Sequence, residues 1–243
     1  MTLTWIHPDW DAPASVGALA STRAGGVSEG VYAGLNLAAH VGDAPSLVAA
    51  NRRLIAADLP GEPLWLSQVH GTRVAIAESA ATDVTADACV ARTPGLVLAV
   101  LHADCLPVLV CDDAARVVAV VHAGWRGLAA GVLEQTVAAM EVPGARLCAW
   151  LGVAISQRAY EVGPEVRAAF VDLDRNAAAA FAPGAADHWQ CDLQALARLR
   201  LARLGVSRVF GGELCSYSDA QRFYSHRRDG VTGRMATLIW LRS

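Results

Sequence analysis

The stretch that decides the fold is Leu96-Val-Leu-Ala-Val-Leu-His-Ala-Asp-Cys-Leu-Pro-Val-Leu-Val-Cys111. It contains two continuous apolar runs, 96–101 and 107–111, on either side of a polar bend. A third apolar run, 117–121, leads into His122-Ala-Gly-Trp-Arg-Gly127. Apolar runs of this length without alternation are typical of strands that are covered on both faces. The pattern predicts a buried sheet with reactive side chains where its strands end.

Helical patterns follow these strands. Residues 128–140 place apolar side chains at helical spacing, and Pro143-Gly144 ends the pattern. Two more amphipathic helices are expected over 164–173 and 192–204, with Asp192 as an N-cap and Gly205 just past the end. Further strands are expected over 146–153, 206–210 and 236–241, and a hairpin is expected to pair 64–69 with 73–77. We therefore predict an α/β fold, a single domain over residues 1–243 with layered mixed β-sheets flanked by helices.

Composition excludes several classes of function. The 243-residue chain has 20 Lys and Arg against 23 Asp and Glu, which leaves no basic surface for nucleic acid. Its mean hydropathy is positive at +0.33, but we find no apolar run of the ~18 residues that a membrane-spanning helix needs. The expected partners are therefore neither nucleic acid nor a membrane.

The cysteines and the N-terminal segment bear on the compartment. The six cysteines lie far apart, and four of them lie in or beside predicted strands, so we expect free thiols in a reducing compartment. The first eight residues lack the basic and apolar regions of a secretory signal. These features predict a cytoplasmic protein.

Three strand ends offer a set of metal ligands. His70, Cys105 and His122 each come shortly before a glycine or proline, as expected where a strand leaves a sheet and turns. Two imidazoles and a thiolate form a good three-ligand set for Zn²⁺, with a fourth position open for water or substrate. Zinc in such a site acidifies its bound water to near neutrality. Copper is the second candidate, because the same ligands suit it.

A competing interpretation pairs His102 with Cys105. The H-x-x-C spacing is compatible with a metal pair or with a thiol that a neighbouring imidazole activates. A Cys-His hydrolase also needs a third, orienting group, and Asp104 supplies one only if it points to the same side. We rank this interpretation below the metal site.

Six motifs in order along the chain carry a family resemblance. They are Thr22-Arg-Ala-Gly-Gly-Val-Ser with Asn36-Leu and His40-Val-Gly-Asp43, Gln68-Val-His-Gly71, Ala103-Asp-Cys-Leu-Pro107, His122-Ala-Gly-Trp-Arg-Gly127, Tyr160-Glu-Val-Gly163, and Phe223-Tyr-Ser-His-Arg-Arg-Asp-Gly230. Together they closely resemble the YfiH-type polyphenol oxidase (laccase-domain) family. Any one motif is a weak signal, but six in the same order are a specific one.

The resemblance implies a fold, a metal and several activities. The fold is a single layered α/β domain unrelated to cupredoxin laccases, and the metal is zinc held by His70, Cys105 and His122. The implied activities are phosphorolysis of adenosine, inosine, guanosine and methylthioadenosine, and hydrolytic deamination of adenosine. Copper-dependent oxidation of phenols and a role in editing peptidoglycan precursors are the alternatives that the family also implies.

Physical chemistry favours the nucleoside activities. A laccase-type route needs several copper ions and many histidines around them. The chain has seven histidines, and we expect His7, His188 and His226 to lie apart from the others. One zinc ion suits hydrolytic or phosphorolytic chemistry better. We therefore expect a purine nucleoside and phosphate as partners, bound by a monomer or small homo-oligomer.

Arginines are the expected phosphate ligands, because a guanidinium binds phosphate through two parallel hydrogen bonds. Arg23, in the glycine-rich loop 21–36, is the first candidate, and Arg126 is the second, with a structural ion pair as its alternative role. Asn36 and His40 are candidates for contacting ribose or base, although residues of this kind also cap loops.

Other residues are left with an open or structural role. Trp125 either stacks on a purine or packs in the fold, and the group 227–229 is expected to form a structural ion-pair network. The chain departs from the family pattern at His102, where relatives carry a small hydroxyl residue. A second departure covers 152–157, so the resemblance assigns no role to either place.

Overall fold

Two mixed β-sheets stacked face to face form the centre of the protein, in a computed structural model that describes residues 3–81 and 83–243. The strands are β1 (Trp5–Ile6), β2 (Val16–Ser21), β3 (Pro63–Leu64), β4 (Val74–Ile76), β5 (Ala88–Ala91), β6 (Val97–His102), β7 (Leu106–Asp112), β8 (Val118–Ala123), β9 (Leu147–Leu151), β10 (Glu161–Val162), β11 (Phe181–Pro183), β12 (Trp189–Cys191), β13 (Arg208–Gly211) and β14 (Met235–Leu241). The α-helices are α1 (Pro45–Ala56), α2 (Trp125–Ala130), α3 (Val132–Met140), α4 (Pro164–Val171), α5 (Leu193–Arg203) and α6 (His226–Asp229).

The two large sheets differ in strand order. One has five strands in the order β1-β2-β14-β6-β3, antiparallel except for the β6–β3 pair. The other has six strands in the order β13-β9-β7-β8-β5-β4, antiparallel in the centre and parallel at both edges. A small antiparallel sheet, β10-β12-β11, lies in the later part of the chain. The predicted fold class, layered mixed sheets with helices, is confirmed.

Both faces of each large sheet are covered. Apolar side chains of β6 and β14 meet those of β5, β7, β8 and β9 between the sheets. Helices α3, α4 and α5 pack on the outer face of the six-stranded sheet, whereas α1 and residues 35–38 cover the outer face of the five-stranded sheet. This two-sided burial explains why the strands appear in the sequence as continuous apolar runs.

Two segments of the chain cross from the five-stranded to the six-stranded sheet, and the segments between β5 and β6 and between β13 and β14 cross back. Strand β6 belongs to the five-stranded sheet and β7 to the six-stranded sheet, so the bend at 103–105 joins the layers. The segment between β3 and β4 crosses in the same direction. The predicted hairpin of 64–69 with 73–77 is therefore wrong. The backbone N–H groups of residues 69–71 bind the Asp87 carboxylate instead of a neighbouring strand.

The helix predictions hold with one refinement. The Asp192 carboxylate accepts a hydrogen bond from the Ala195 N–H at 2.8 Å, and Gly205 follows α5 with a φ of +78°. The pattern over 128–140 is split into α2 and α3, because Gly131 adopts a left-handed φ of +99° that interrupts the helix. Every helix in the described part of the chain is too short or too polar to cross a bilayer.

Candidate metal centre and its cleft

The structure brings the three predicted metal ligands together. His70 lies in the segment that crosses from β3 to β4, Cys105 in the bend between β6 and β7, and His122 near the end of β8. One potential ligand atom from each residue lies within 4.8 Å of the other two. The Cys105 Sγ is 3.7 Å from the His70 Nε2. The three residues form the only such group among residues 3–81 and 83–243.

The geometry of the group fits a tetrahedral metal. With ordinary zinc bond lengths, a sulfur and a nitrogen ligand on one Zn²⁺ ion lie about 3.6 Å apart, close to the separation of Cys105 and His70. The backbone of Gly124 also leaves room for the ligands. A Cβ atom there would lie 2.8 Å from the His70 ring and 3.1 Å from the Cys105 sulfur. The two ligands thus converge over a position that holds no side chain.

Asp87, which the sequence analysis missed, organises two of the three ligands. Its buried carboxylate accepts hydrogen bonds from the backbone N–H groups of His70 at 2.9 Å and Gly71 at 2.7 Å. It also accepts one from His122 Nδ1 at 2.9 Å. Because Nδ1 carries that proton, Nε2 of His122 is free to bind a metal. The only sequence signal for Asp87 is its place just before β5, the strand that pairs with β8.

The turns that carry the ligands have unusual backbone conformations. His70 has a φ of +60° and Asp104 a φ of +95°, both in a region that favours glycine. The Asp104 carboxylate accepts hydrogen bonds from the Ser216 hydroxyl at 2.6 Å and the Arg227 N–H at 2.7 Å. His102 pairs through Nε2 with the Thr237 hydroxyl at 2.8 Å. Asp104 and His102 therefore form their hydrogen bonds with residues other than Cys105 and other than each other. This arrangement does not support a Cys-His-Asp catalytic group at Cys105.

The three candidate ligands open onto a cleft of about 340 Å³. His40 and Arg126, both predicted from the sequence, line it, and so do Arg234 and Gln68, which were not predicted. The Gln68 amide is fixed by the backbone of Leu101, to which it donates at 2.8 Å and from which it accepts at 2.7 Å. The cleft therefore combines three ligand side chains with a cationic rim.

An apolar pocket of about 160 Å³ adjoins the cleft and shares Ala103, Cys105 and His226 with it. Its remaining walls are largely aromatic and aliphatic. They are formed by Asp104, Trp125, Ile155, Tyr160, Leu193 and Arg227. Ile155 is the one residue of 152–157 that lines either cavity. The predicted ligand Cys105 thus lies where a polar and an apolar cavity meet.

Residues 17–242 match the family model described as multi-copper polyphenol oxidoreductase laccase. The chain belongs to this family. A Pseudomonas aeruginosa protein named purine nucleoside phosphorylase PA4543 is 50% identical over 98% of both chains. The protein named purine nucleoside phosphorylase YfiH from Escherichia coli K12 is 51% identical, over 97% of this chain and 98% of its own. The crystal structure of Neisseria meningitidis protein NMB0706 superposes with a TM-score of 0.94 at 48% identity, covering 98% of this chain and 99% of that one.

These comparisons confirm the resemblance to the laccase-domain family that the six motifs predicted. A further structure, YlmD from Geobacillus stearothermophilus, superposes with a TM-score of 0.85 at 31% identity, over 95% of this chain and 93% of that chain. The family and its YfiH-like fold are thus shown over nearly the whole length of the protein.

Two residues that the family motifs suggested as substrate ligands lie outside the cleft. The Arg23 guanidinium donates to the carbonyl oxygens of Ala220 and Ala33 and lies 4.6 Å from the centre of the Tyr224 ring. The buried Asn36 side chain accepts from the Arg234 N–H at 3.0 Å. Asn36 thus supports the backbone of a cleft residue.

The C-terminal family motif is divided between structural and cleft-lining roles. Arg228 and Asp229 form the predicted ion pair, at 2.7 Å. The expectation that His226 lies apart from the other histidines is wrong, because its side chain lines both cavities. The reason is that the Arg227 N–H binds the Asp104 carboxylate, which draws α6 against the Cys105 turn.

The charges of Cys105 and His122 support each other. Burial would raise the pKa of the Cys105 thiol, but the neighbouring His122 and His70 outweigh it and lower that pKa to about 6. Burial would lower the pKa of His122, but Cys105 and Asp87 raise it to about 9. Without metal, the pair is therefore a thiolate and an imidazolium at neutral pH. Burial holds His102 in its neutral form, with a pKa of about 3.

We expect the Cys105 thiol of the metal-free protein to react with iodoacetamide at pH 7, and its rate to fall as the pH drops through about 6. The physical reason is that only the thiolate is a nucleophile. Mass mapping of alkylated peptides separates Cys105 from Cys215, the other partly exposed cysteine. A Cys105 rate that rises only near pH 9 would contradict the thiolate–imidazolium pair.

Proposed function

We propose that the protein is a zinc-dependent purine nucleoside phosphorylase for adenosine, inosine, guanosine and methylthioadenosine, and that it also deaminates adenosine by hydrolysis. The observation that carries this proposal is the position of the three-ligand group, between a cleft with a cationic rim and an apolar, aromatic pocket. The printed names of the relatives support the phosphorylase activity.

The cationic rim is the proposed phosphate site. Arg126 forms no ion pair with any described residue, and its guanidinium lies 4.4 Å from the centre of the Trp125 ring. Arg234 is half-buried and donates through Nη1 to the carbonyl oxygens of Thr232 and Gly233. Burial lowers the pKa of Arg234, although Cys105 and Asp104 oppose this effect. A doubly charged anion between these guanidinium groups would form charge-assisted hydrogen bonds with both.

The apolar pocket is the proposed site of the purine. Trp125 and Tyr160 contribute aromatic rings to the lining, and Ile155 and Leu193 contribute aliphatic side chains, which suits a flat heterocycle. With the base there and phosphate at the cationic rim, the ribose lies beside Cys105, the shared wall of the two cavities. This arrangement brings the phosphate oxygen and the anomeric carbon together.

In phosphorolysis, a phosphate oxygen attacks C1′ of the ribose while the bond from C1′ to the purine breaks. Arg126 and Arg234 hold and orient the phosphate, and the aromatic pocket orients the base and excludes water. His70, Cys105 and His122 would hold the zinc ion, which would supply Lewis acidity. Hydrolytic deamination uses the same base pocket: the water oxygen forms a bond to C6 of adenine and the bond from C6 to the amino group breaks. One water proton goes to the amino group, which leaves as ammonia, and the other goes to N1, which gives inosine.

Zinc is preferred to copper because of the ligand count. Within residues 3–81 and 83–243, a single cluster of three ligands is found, whereas a multi-copper route requires several metal sites. We also propose that residues 1–243 act as a single domain in the cytoplasm. The six cysteines, all of them free thiols, support a reducing compartment.

The test combines metal analysis of the untagged protein with chromatography of inosine and adenosine reactions, with and without phosphate. We expect about one zinc per chain, hypoxanthine from inosine only with phosphate, adenine from adenosine with phosphate, and inosine from adenosine without it. Zinc-loaded protein that forms none of these products would contradict the proposal. Dioxygen consumption with a phenol that rises with added copper would favour the oxidase instead.

The phosphate site can be tested separately. We expect Arg126→Gln and Arg234→Gln each to raise the KM for phosphate about 10- to 100-fold, because each removes charge-assisted hydrogen bonds of about 1.5–3 kcal/mol. The KM for inosine should change much less. Arg23→Gln decides between Arg23 and Arg126, the two phosphate ligands predicted from the sequence. If the KM for phosphate rose in Arg23→Gln and in neither of the other variants, the phosphate site would lie at the glycine-rich loop. Arg53→Gln, on the exposed face of α1, is the matched control.

A further inference from the structure

His226 lies where the two cavities meet. Its side chain lines both the polar cleft that holds Arg126 and Arg234 and the apolar pocket that holds Trp125 and Tyr160. It is not one of the three residues whose ligand atoms converge on a metal position. His226 therefore borders both proposed substrate subsites, and neither the metal centre nor the phosphate site uses it.

One hydrogen bond decides which ring nitrogen of His226 can exchange a proton. Nδ1 lies 2.6 Å from the carbonyl oxygen of Gly230. A carbonyl oxygen can only accept, so Nδ1 must carry a hydrogen in both protonation states of the ring. None of the described residues forms a hydrogen bond with Nε2. Nε2 is therefore the atom that gains and loses a proton, as in a general acid or base.

The ring is held in a short, closed turn. The Gly230 N–H donates back to the His226 carbonyl at 2.8 Å, so the two residues are joined by hydrogen bonds in both directions. The Ser225 hydroxyl caps the turn by accepting from the Arg228 N–H at 3.2 Å. The Arg227 N–H ties it to the Asp104 carboxylate, beside Cys105. His226 thus has a fixed position relative to the metal ligands.

We propose that His226 is a further catalytic residue, the general acid that protonates the departing purine. This inference rests on the proposed phosphorolysis. As phosphate forms its bond to C1′, the electron pair of the breaking C1′–N9 bond moves into the purine, and the Nε2 proton of His226 is transferred to N7. The proton that monohydrogen phosphate loses on forming the ester restores the imidazolium. The products are ribose 1-phosphate and a neutral purine.

The other polar groups around the two cavities are less suited to this step. His40 lies on the cleft side with Arg234, and burial followed by the charges of Arg234 and Arg52 lowers its pKa, which favours the neutral ring. Burial raises the pKa of the Tyr160 hydroxyl. The guanidinium groups of Arg126 and Arg227 do not release protons in proteins. His226 is the imidazole that lines the pocket proposed for the base.

The test compares inosine with 7-methylguanosine. The N7-methyl group already gives this purine a positive charge, so its departure needs no proton. His226→Asn is the informative variant, because the asparagine Nδ2 can replace Nδ1 as the donor to Gly230 while Nε2 is removed. We expect the variant to retain about 1% or less of wild-type kcat on inosine, since general acid catalysis contributes about 10²–10⁴-fold. On 7-methylguanosine we expect it to retain wild-type kcat within about threefold.

Activity on 7-methylguanosine also shows that the variant is folded and binds phosphate. His226→Ala should give the same contrast between substrates, and His7→Gln, whose ring lies at a different cavity, is the control. Equal losses on both nucleosides would overturn the inference and leave a binding role for His226. Unchanged activity on inosine would also overturn it. Wild-type protein that releases no base from either nucleoside would instead overturn the proposed function, and the inference with it.

Discussion

Cys105→Ala is expected to abolish stable zinc binding and to lower kcat/KM for phosphorolysis about a thousandfold. The variant loses the only thiolate of the ligand set, and the metal contributes several kcal/mol of transition-state stabilisation, at about 1.4 kcal/mol per tenfold in rate. Metal analysis after gel filtration and an inosine assay at saturating phosphate measure the two effects.

Cys215→Ala is the matched control. Cys215 is also a partly exposed, free thiol, and its sulfur accepts hydrogen bonds from the Ser156 N–H and the Ser218 hydroxyl, outside the metal group. The Cys215→Ala variant should keep its zinc and its phosphorolytic activity. A Cys105→Ala protein with a full complement of zinc and wild-type kcat/KM would show that the metal centre lies elsewhere.

Among the substitutions proposed for this protein, Asp87→Ala is expected to lower the free energy of unfolding most. The substitution leaves the His122 imidazole and the N–H groups of residues 69–71 without their buried acceptor. Removing one partner from a buried charged network typically costs about 3–5 kcal/mol. Zinc affinity should also fall about 10- to 100-fold, which is the usual effect of losing a carboxylate that is hydrogen-bonded to a ligating histidine. Urea unfolding of the metal-free proteins and zinc titration measure the two losses.

Two further variants separate these effects from a general change in charge. Asp87→Asn keeps one carbonyl oxygen as an acceptor, so it should lie between wild type and Asp87→Ala in both measurements. Asp113→Asn removes a carboxylate from an exposed ion pair with Arg146 and should alter the free energy of unfolding by less than about 1 kcal/mol. If Asp87→Ala were no more costly than Asp113→Asn, Asp87 would have no organising role.

The convergence of the candidate ligand set was predictable from the sequence because each of its residues carries its own local signal. His70, Cys105 and His122 each lie at the end of an apolar run, within two residues of a glycine or proline that marks a turn. Asp87 carries no such signal, because its importance comes from donors 16–18 and 35 residues away that only the folded chain brings to it. Arg234 and His226 were missed for the same reason, as they reach the cleft from a distant C-terminal segment.

Strand positions were predictable, but strand partners were not. A buried strand is visible as a local run of apolar residues, whereas its pairing depends on contacts with distant segments. The bend at 103–105 looks like a turn between neighbouring strands, yet it connects two different sheets. Likewise, β4 finds its partner in β5 and not in the segment just before it.

The two crossings from the five-stranded to the six-stranded sheet have a thermodynamic consequence. His70 and Cys105 both lie on segments that pass from the five-stranded to the six-stranded sheet, whereas His122 belongs to the six-stranded sheet itself. A metal ion bound to all three would therefore tie both crossing segments to the end of β8. By mass action, an ion present at a hundred times its dissociation constant stabilises the folded state by about 2.7 kcal/mol. The metal supply would thus shift the folding equilibrium of the protein as well as its activity.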